Sequence, residues 1–519
     1  MMVREIESEG RTTKQHNHSS GDDNAVVVTI MEKFHALLFK WASGRVEGGW
    51  MKMRVMGMAL TLKEEDAAHW VYRGEGAVNL VLAYTGSSPS FIGKVIRIRK
   101  APKNGLQSNG VSVRNSIALT PHELVIWKDA HQLISSSDKD IADQLYVEHV
   151  MKPLLGSNFV DAGVFMLNAF DAFMLVLVTR HFLELVEKNV TCYRPVWRVD
   201  AARVDTHCDF GLLMSDHSLF AHAEISSISS SQGPSPCLSI EIKPKCGFLP
   251  MSRFISKGNA IKRRITRFEM HQTLKLLQGE ISQLSDYNPL DLFSGSKERI
   301  QKAVKSLFST PQNNFRVFFN GSLILGGLGG VAKNTDVCIA KKFEDELKSV
   351  IQADDGLYTE YLFTLVTEAL QNSGVLDKLL EVQKLDNIDI EGVIHAYYDI
   401  TSQQCMVCKA LSEEQAKTYA SLHSASFDES LRIVKDYLIA ATAKDCSLML
   451  CFRPKNEEDS RLVYNNVYLE STNQAFDFKV YFIDLDLKRL SKVEDYYELD
   501  KKIVSSYKQM IKMDQGRNM

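Results

Sequence analysis

The sequence contains no run of roughly 18 apolar residues such as a membrane span needs. Its most apolar region, 159–182, is interrupted by Asp161, Asn168, Asp171 and Arg180. The start lacks the basic, apolar and small-residue succession of a secretory leader. The nine cysteines in 519 residues form no evenly spaced framework, so most thiols are expected in the core of a reduced protein of the cytoplasm and/or nucleus. Excess basic charge is missing too. Lys plus Arg is 61 and Asp plus Glu is 64, a formal charge of -3, which excludes a globally basic nucleic-acid binder and leaves room for a local basic pocket. No repeat recurs at solenoid periods. What is present is an average globular composition, 45% hydrophobic and 24% charged. The length allows about three domains' worth of chain at about 150 residues each, and a core that needs no staples.

Residues 1–25 are polar and expected to be disordered. Residues 26–42 fit one amphipathic helix. Four methionines at 51–58 are each a candidate start, so 1–57 is set aside as a disordered extension or a misassigned start. From about Leu60 order is expected. Residues 70–72, 79–84 and 91–99 read as strands of an antiparallel meander with a glycine-rich turn at 74–76. Residues 119–153 read as helix, broken by Pro121 and ended by Pro153. Residues 238–245 read as a strand after a Ser/Gly/Pro loop at 226–236. Helical spacing runs from Phe268 to about 440, and strands return at 448–452 and 478–486. This order predicts an α+β protein of two lobes with a site in the cleft between them.

Four groups of residues carry chemistry. Gly74, Gly76 and Asn79 form a Gly-x-Gly-x-x-Asn turn whose glycines let backbone N–H groups approach a phosphate. A strand rather than a helix follows, which excludes a dinucleotide-binding unit, and the Gly-Lys-Ser/Thr ending of a P-loop is missing. A glycine-rich hairpin with a cation on the next strand, here Lys94 or Arg97, is the protein-kinase arrangement; alone, the turn reads as an ordinary β-turn. Asp209-Phe210-Gly211 matches the kinase Mg²⁺ tripeptide, but no His-Arg-Asp loop precedes it and no Ala-Pro-Glu follows, so it is read as coincidence. In Glu-Ile-Lys-Pro-Lys at 241–245, alternation places Glu241, Lys243 and Lys245 on one face, and Pro244 argues for an edge strand. Such an edge suits a phosphate cluster, and equally a charged guard against aggregation. Lys94, Arg97, Arg99, Lys100 and Lys103 form one basic run. Lys257, Lys262, Arg263, Arg264 and Arg267 form another, which reads as a solvated face. Asp445 before one strand and Asp484 at the end of another supply the two carboxylates phosphoryl transfer needs, one at the attacking hydroxyl and one for Mg²⁺. Two loop acids capping turns fit the same pattern. Cys405-Met-Val-Cys408, with His395 and His423 on either side, offers two thiolates and two imidazoles, a closed and therefore structural Zn²⁺ shell. The spacings are not those of a DNA-reading finger.

Together these segments resemble the inositol-pentakisphosphate 2-kinases, most closely the plant type. The resemblance runs from Met58 to about Tyr507 and rests on WVYRGEGAVNLVLAYTGSSPSFIGKVIRIRK, RPVWRVDAARVD, EIKPKCGFLPMSRF, STPQNNFRVFFNGSLILGG, IDIEGVIHAYYDI and YFIDLDLK. It implies ATP-dependent phosphorylation of the axial 2-hydroxyl of inositol 1,3,4,5,6-pentakisphosphate, giving inositol hexakisphosphate (phytate). It also implies a two-lobed fold distantly like protein kinases, with an N-lobe at 58–215 and a C-lobe at 216–519 that carries a zinc segment at about 390–425. By matched position it places Gly74, Glu75, Gly76, Ala77, Asn79 and Arg97 at the ATP phosphates, and Asp216, His217 and Glu241 around the adenine. It makes Asp445 the acid at the attacking hydroxyl, assisted by Lys243, and Asp484 a Mg²⁺ ligand. Around the inositide phosphates it places Arg198, Lys243, Lys245, Lys275, Asn313, Lys488, Lys492 and Tyr496. His395, Cys405, Cys408 and His423 fall on the family's zinc ligands. A substrate with five phosphates offers charge rather than apolar surface, so its affinity must come from charge-assisted hydrogen bonds. Arg198, belonging to the N-lobe, implies that a fully phosphorylated substrate helps close the lobes. The implied partner is inositol pentakisphosphate, with no specific nucleic acid and no membrane, bound by a monomer.

The chain departs from the pattern in places. Residues 1–57 have no counterpart, and an apolar stretch at 165–175 is insertion-like. Pro102 stands at a basic substrate-contact position with Lys103 beside it as a substitute, and Lys492 stands where relatives carry Arg, which loses bidentate geometry. Two other readings follow: a non-catalytic inositide binder of the same fold, which Asp445 and Asp484 argue against, and a kinase for another inositol phosphate. A zinc-stabilised nucleic-acid module is opposed by the charge and by the lack of an aromatic-basic sheet motif.

Overall fold

The computed structural model describes residues 61–103, 118–136, 139–161, 175–208, 210–220, 235–327, 337–455 and 464–517. The expected helix at 26–42, the whole of 1–57, nearly all of the apolar stretch at 165–175 and Asp209 lie outside the described residues.

Alternating apolar residues in the first part of the chain build a seven-stranded sheet: β1 (Thr61–Leu62), β2 (Trp70–Glu75), β3 (Asn79–Tyr84), β4 (Lys94–Pro102), β5 (Leu175–Val178), β6 (Ala202–Val204) and β7 (Phe210–Ser215). The order is β1-β5-β7-β4-β3-β2, with β6 on the end of β4. The meander β2-β3-β4 is antiparallel, as the sequence predicts. Leu80, Leu82, Ile96 and Ile98 are fully buried and share a core with Phe182, Leu183, Val186 and Val190 of the helix Arg180–Val190. Each such side chain contributes about 1.5–3 kcal/mol by leaving water. Thr179 starts that helix by accepting a hydrogen bond from Phe182 N at 3.2 Å. Phe210 and Gly211 of the kinase-like tripeptide lie in β7, where a side chain at 211 would run into Ile96, which supports reading the tripeptide as coincidence.

The second sheet comprises β8 (Leu238–Ile242), β9 (Phe315–Phe319), β10 (Ser322–Leu325), β11 (Ser447–Pro454), β12 (Asn465–Leu469) and β13 (Gln474–Ile483). Its order is β10-β9-β8-β11-β13-β12, antiparallel throughout. It shares a second, larger core with helices that include Lys297–Ser309, Tyr358–Ser373, Asp389–Ile400 and Phe427–Asp445. The chain is thus α+β, with two sheets and separate apolar cores. Among the described residues no helix is long and apolar enough to cross a membrane.

Four expectations need correction. β8 is a central strand, buried at all five positions, not an edge. Pro244 is compatible with this because the strand stops at Ile242, before the proline would have to donate to the ladder. Pro121 starts a helix at its first position, after a Thr120–Glu123 capping box, and the helical segment runs past Pro153 to end at Gly156, φ 100°. The β9–β10 hairpin interrupts the region read as helical. Lys262, assigned to a solvated face, is 3% exposed. Its ammonium donates to Asp389 at 2.5 Å, Glu391 at 3.2 Å and Asp500 at 2.7 Å.

Candidate active site

Antiparallel pairing decides which residues meet. β8 and β13 both flank β11 and run in the same direction, so their C-terminal ends emerge where β11 begins. Ser447 pairs with Ile483 and Leu448 with Ile242. One edge of the sheet therefore carries Lys243 after β8, Asp484 after β13, and Asp445 at the end of the helix Phe427–Asp445, just ahead of β11. All three line a cleft of ≈ 2460 Å³, whose other walls include the β2–β3 hairpin, Arg97, Arg198, Lys275, Asn313, Arg316 and Lys488.

The charges at this edge interlock. Lys243 Nζ donates to Asp484 at 3.1 Å, and Lys488 Nζ donates to Asp445 at 2.8 Å. Burial alone would push both carboxyls upward. Lys243 and Arg97 outweigh it at Asp484, and Lys488, Lys245 and Lys243 outweigh it at Asp445, so both acids are held below their usual range. Burial works against the Lys243 ammonium as well, yet Asp484, Glu241 and Asp445 hold its pKa above the usual lysine value. Both acids keep more than half of their side-chain surface open, 59% for Asp445 and 57% for Asp484. They are ionised carboxylates presented to the cleft, the donor type that suits a hard cation.

The hairpin lies across from them. Gly74 and Gly76 have open space where a side chain would stand, so a ligand can come close to their backbone. Asn79, with its amide oxygen toward Arg97, accepts from Arg97 Nε at 3.1 Å and Nη2 at 2.7 Å. Arg97 Nη2 also donates to Asp486 Oδ2 at 2.5 Å. Between the two candidate cations of the sequence the structure distinguishes: Arg97 lines the cleft, while Lys94 donates to Ser215 Oγ at 3.4 Å. The Glu75 carboxylate is turned into the protein, where it accepts from Lys100 and Arg194, so only its backbone is available to the cleft.

Asp216 and His217 follow β7, on the connection between the sheets. Asp216 accepts from Arg73 Nη2 at 2.7 Å and from Ser218 N at 2.9 Å. His217 stacks on Tyr481, ring centroids 4.0 Å apart, with Nε2 3.3 Å from Asp161. Glu241 accepts from Arg316 Nη1 at 2.8 Å and Ser447 Oγ at 3.0 Å. All three line the cleft beside the hairpin.

Of the residues expected around an inositide, Arg198, Lys243, Lys275, Asn313 and Lys488 line the cleft, whereas Lys245, Lys492 and Tyr496 are not part of its wall. Lys245 is nonetheless close: burial pushes its pKa down to about 8, with Lys243 and Lys275 adding to the push and Asp445 opposing it. Tyr496 feels the charges of Lys488 and Asp445. Lys492 is exposed and pairs with Asp495 at 2.9 Å. Pro102 and Lys103 do not line the cleft. Sequence reasoning passed over Arg316 and Asp486. Arg316 was legible as the outward position of an alternating Phe-Arg-Val strand, and it faces Glu241 across the β8–β9 ladder. Asp486 stood two residues beyond Asp484 in the same motif.

Away from the cleft, His395, Cys405, Cys408 and His423 bring their ligand atoms within 4.8 Å of one another. His395 Nδ1 lies 3.4 Å from each sulfur and 3.0 Å from His423 Nε2, and Cys408 Sγ lies 3.2 Å from His423 Nε2. Tetrahedral bonds of about 2.0–2.3 Å place ligand atoms roughly 3.3–3.8 Å apart. The two sulfur separations from His395 fall in that range and the two to His423 Nε2 just short of it, so the donor set fits zinc with a small outward shift of His423. Asp399 Oδ1, 2.8 Å from His423 Nδ1, orients that ring as an outer carboxylate does in metal sites.

A family model described as inositol-pentakisphosphate 2-kinase matches residues 72–502. Among similar proteins, the inositol-pentakisphosphate 2-kinase of Arabidopsis thaliana is 54% identical over 450 residues, covering 87% of this chain and 95% of its own length. The kinase of that name from Oryza sativa subsp. japonica is 48% identical, covering 87% of this chain and 96% of its own. That of Danio rerio is 28% identical, covering 86% and 95%.

Proposed function

Because the chain belongs to the inositol-pentakisphosphate 2-kinase family and phosphorylates inositol pentakisphosphate at its 2-position, we propose that the cleft transfers the γ-phosphoryl group of ATP to the axial 2-hydroxyl of the 1,3,4,5,6-isomer, giving the hexakisphosphate. The nucleotide phosphates lie under the backbone of Gly74, Glu75, Gly76 and Ala77, with Asn79 fixing Arg97 and Arg97 supplying charge. Asp216, His217 and Glu241 border the adenine. Arg198, Lys243, Lys245, Lys275, Asn313, Lys488 and Tyr496 meet the inositide phosphates, with Lys492 at the rim. The first sheet and its core correspond to an N-lobe within 58–215 and the second sheet and its core to a C-lobe at 216–519, except that residues 118–160 pack into the second core and so join the C-lobe side.

Asp445 orients the 2-hydroxyl. As the new O–P bond forms and the bond to the leaving nucleoside diphosphate breaks, the hydroxyl proton passes to an Asp445 oxygen. Its depressed pKa suits late proton transfer in a loose transition state, where the hydroxyl needs orientation more than a strong base. Lys488 keeps the carboxylate ionised and in place. Lys243, between Asp484 and the edge of β8, is placed to meet charge on the transferring group. Asp484 would hold Mg²⁺, which when bound neutralises charge on the phosphate oxygens. Zn²⁺ on the His395, Cys405, Cys408 and His423 set would be structural, its shell being filled by protein.

The observation that carries this reading is the convergence of Lys243, Asp445 and Asp484 at one sheet edge, facing Arg97 and the hairpin. The experiment is titration of a fluorescent ATP analogue with and without Mg²⁺. Asp484→Asn is expected to remove the Mg²⁺ dependence of nucleotide binding while inositide affinity stays within about twofold. An unchanged Mg²⁺ dependence in that variant would count against Asp484 as the ligand.

A further inference from the structure

Gln312 lines the cleft with a φ of 46°, in the left-handed region that a glutamine occupies only where its surroundings impose it. Its side chain is held by a second glutamine. Gln272, buried on the helix Arg267–Leu277, donates from Nε2 to Gln312 Oε1 at 2.9 Å, and Gln312 Nε2 donates back to Gln272 Oε1 at 2.9 Å. The two amides thus pair edge to edge, donor to acceptor twice. Gln312 Nε2 also donates to the Gln283 carbonyl at 3.3 Å, which sets the sense of its amide.

The pair joins two elements that the cleft uses. Lys275 lies one turn beyond Gln272 on the same helix, and Asn313 follows Gln312 directly; both line the cleft. Beyond Asn313 the backbone is held from another side. Asn314 N donates to the Pro311 carbonyl at 2.8 Å, and the Asn314 carbonyl accepts from Lys243 N at 2.9 Å. The loop 311–314 is therefore fixed to the end of β8 by its backbone and to the helix of Lys275 by the amide pair. Amides suit this place. Burial pushes the pKa of the neighbouring His271 down to about 3, with Arg267, Lys275 and Lys245 adding to the push, so position 272 lies in a positive field. A carboxylate there would draw the lysines away from a bound phosphate, and a further cation would repel them. Two paired amides satisfy each other's donors and acceptors and take up neither charge.

We propose that Gln272 is a positioning residue for the inositide: by clasping Gln312 it sets where Asn313 stands relative to Lys275, and so fixes the spacing at which this wall of the cleft meets a ring phosphate. The inference rests on the reading above, in which Asn313 and Lys275 meet the inositide. The clasp holds neither the glycine hairpin nor Asp445. Its loss should therefore appear in the KM for the inositide and leave kcat and the KM for ATP in place.

The test is steady-state kinetics of the full chain with inositol pentakisphosphate and ATP, comparing Gln272→Leu, Gln312→Gly, Asn313→Ala and the double variant Gln272→Leu/Asn313→Ala. Gln272→Leu should raise the inositide KM by about tenfold, the size of one hydrogen bond to a charged group, with kcat and the KM for ATP within about twofold. In the Asn313→Ala background the same substitution should add less than about twofold, because it acts through that side chain. Glycine adopts the φ of Gln312 freely. Gln312→Gly should therefore move the unfolding midpoint little, relief of the backbone offsetting the lost bonds, and still raise the inositide KM as Gln272→Leu does. It decides the matter where Gln272→Leu fails to fold. A merely structural pair would lower the midpoint and leave the inositide KM alone. An unmoved KM in either folded variant, or effects of Gln272→Leu and Asn313→Ala that simply add, overturns the clasp. Asn313→Ala separates the two failures. A raised KM there, with an unmoved KM in the clasp variants, refutes the clasp alone. An unchanged KM there refutes the placement of the inositide on Asn313, and the clasp with it.

Discussion

At the residue scale, two side chains at the site sit on backbone that only glycine adopts freely: Lys245 with φ 63° and Asp484 with φ 62°. Such positions cost about 1–3 kcal/mol each and persist where the surroundings impose them. For Lys245 the surroundings include Gln383 Nε2, which donates to its carbonyl at 2.8 Å. Neither angle is legible in the sequence, where 241–245 read as a strand with alternating faces. Lys245 gives a pH prediction. Its folded pKa of about 8 lies below the unfolded value, so the ammonium is present below pH 8 and lost above it. The kcat/KM for inositol pentakisphosphate should fall about tenfold per pH unit above that point, and Lys245→Arg should remove the step because a guanidinium stays charged. The sign for stability is opposite. The cost of the buried charge is full below pH 8 and relieved as pH rises toward about 10.4. Lys245→Met should therefore be the more stable protein to urea at pH 7 and lose that advantage near pH 10.5. A flat rate profile in the wild type would remove Lys245 from the inositide contacts.

At the element scale, sequence spacing succeeded where partners are local and failed where they are distant. The zinc ligands lie within 29 residues of one another, His395 on the helix Asp389–Ile400 and the other three at the short helices Met406–Lys409 and Ala420–His423, and the structure gathers all four. Lys262 looked like part of a solvated basic run because its three acids lie 127, 129 and 238 residues away. It joins the 3₁₀ helix Lys257–Arg263 to the start of Asp389–Ile400 and to the helix Val493–Arg517. Lys262→Met would leave buried Asp389 and Glu391 without their cation and Asp500 with Arg267 alone, at 3.3 Å, an expected loss of about 3–5 kcal/mol in denaturant unfolding. A loss under about 1 kcal/mol would contradict the account. For the zinc set, Cys405→Ala or chelation should lower the unfolding midpoint and the metal content found by elemental analysis, with KM for the inositide changed less than about twofold. Protein that is fully stable without stoichiometric metal would overturn the structural role.

At the scale of the whole molecule, the α+β class, the opening meander and the acid-bearing late strands were legible because each rests on local alternation. The central place of β8 was not, because strand order depends on β9 and β11, which pair with it across 73 and 206 residues or more. That order is what puts Lys243, Asp445 and Asp484 on one edge. The most direct measurement is ATP turnover against a panel of inositol phosphates, with the position of the new phosphate assigned by NMR and Asp445→Ala run beside the wild type. The account predicts turnover of the pentakisphosphate whose 2-hydroxyl is free, a phosphate added at that position, and a loss of at least about a thousandfold in the variant. Binding without turnover in the wild type, or turnover that survives Asp445→Ala, would contradict it.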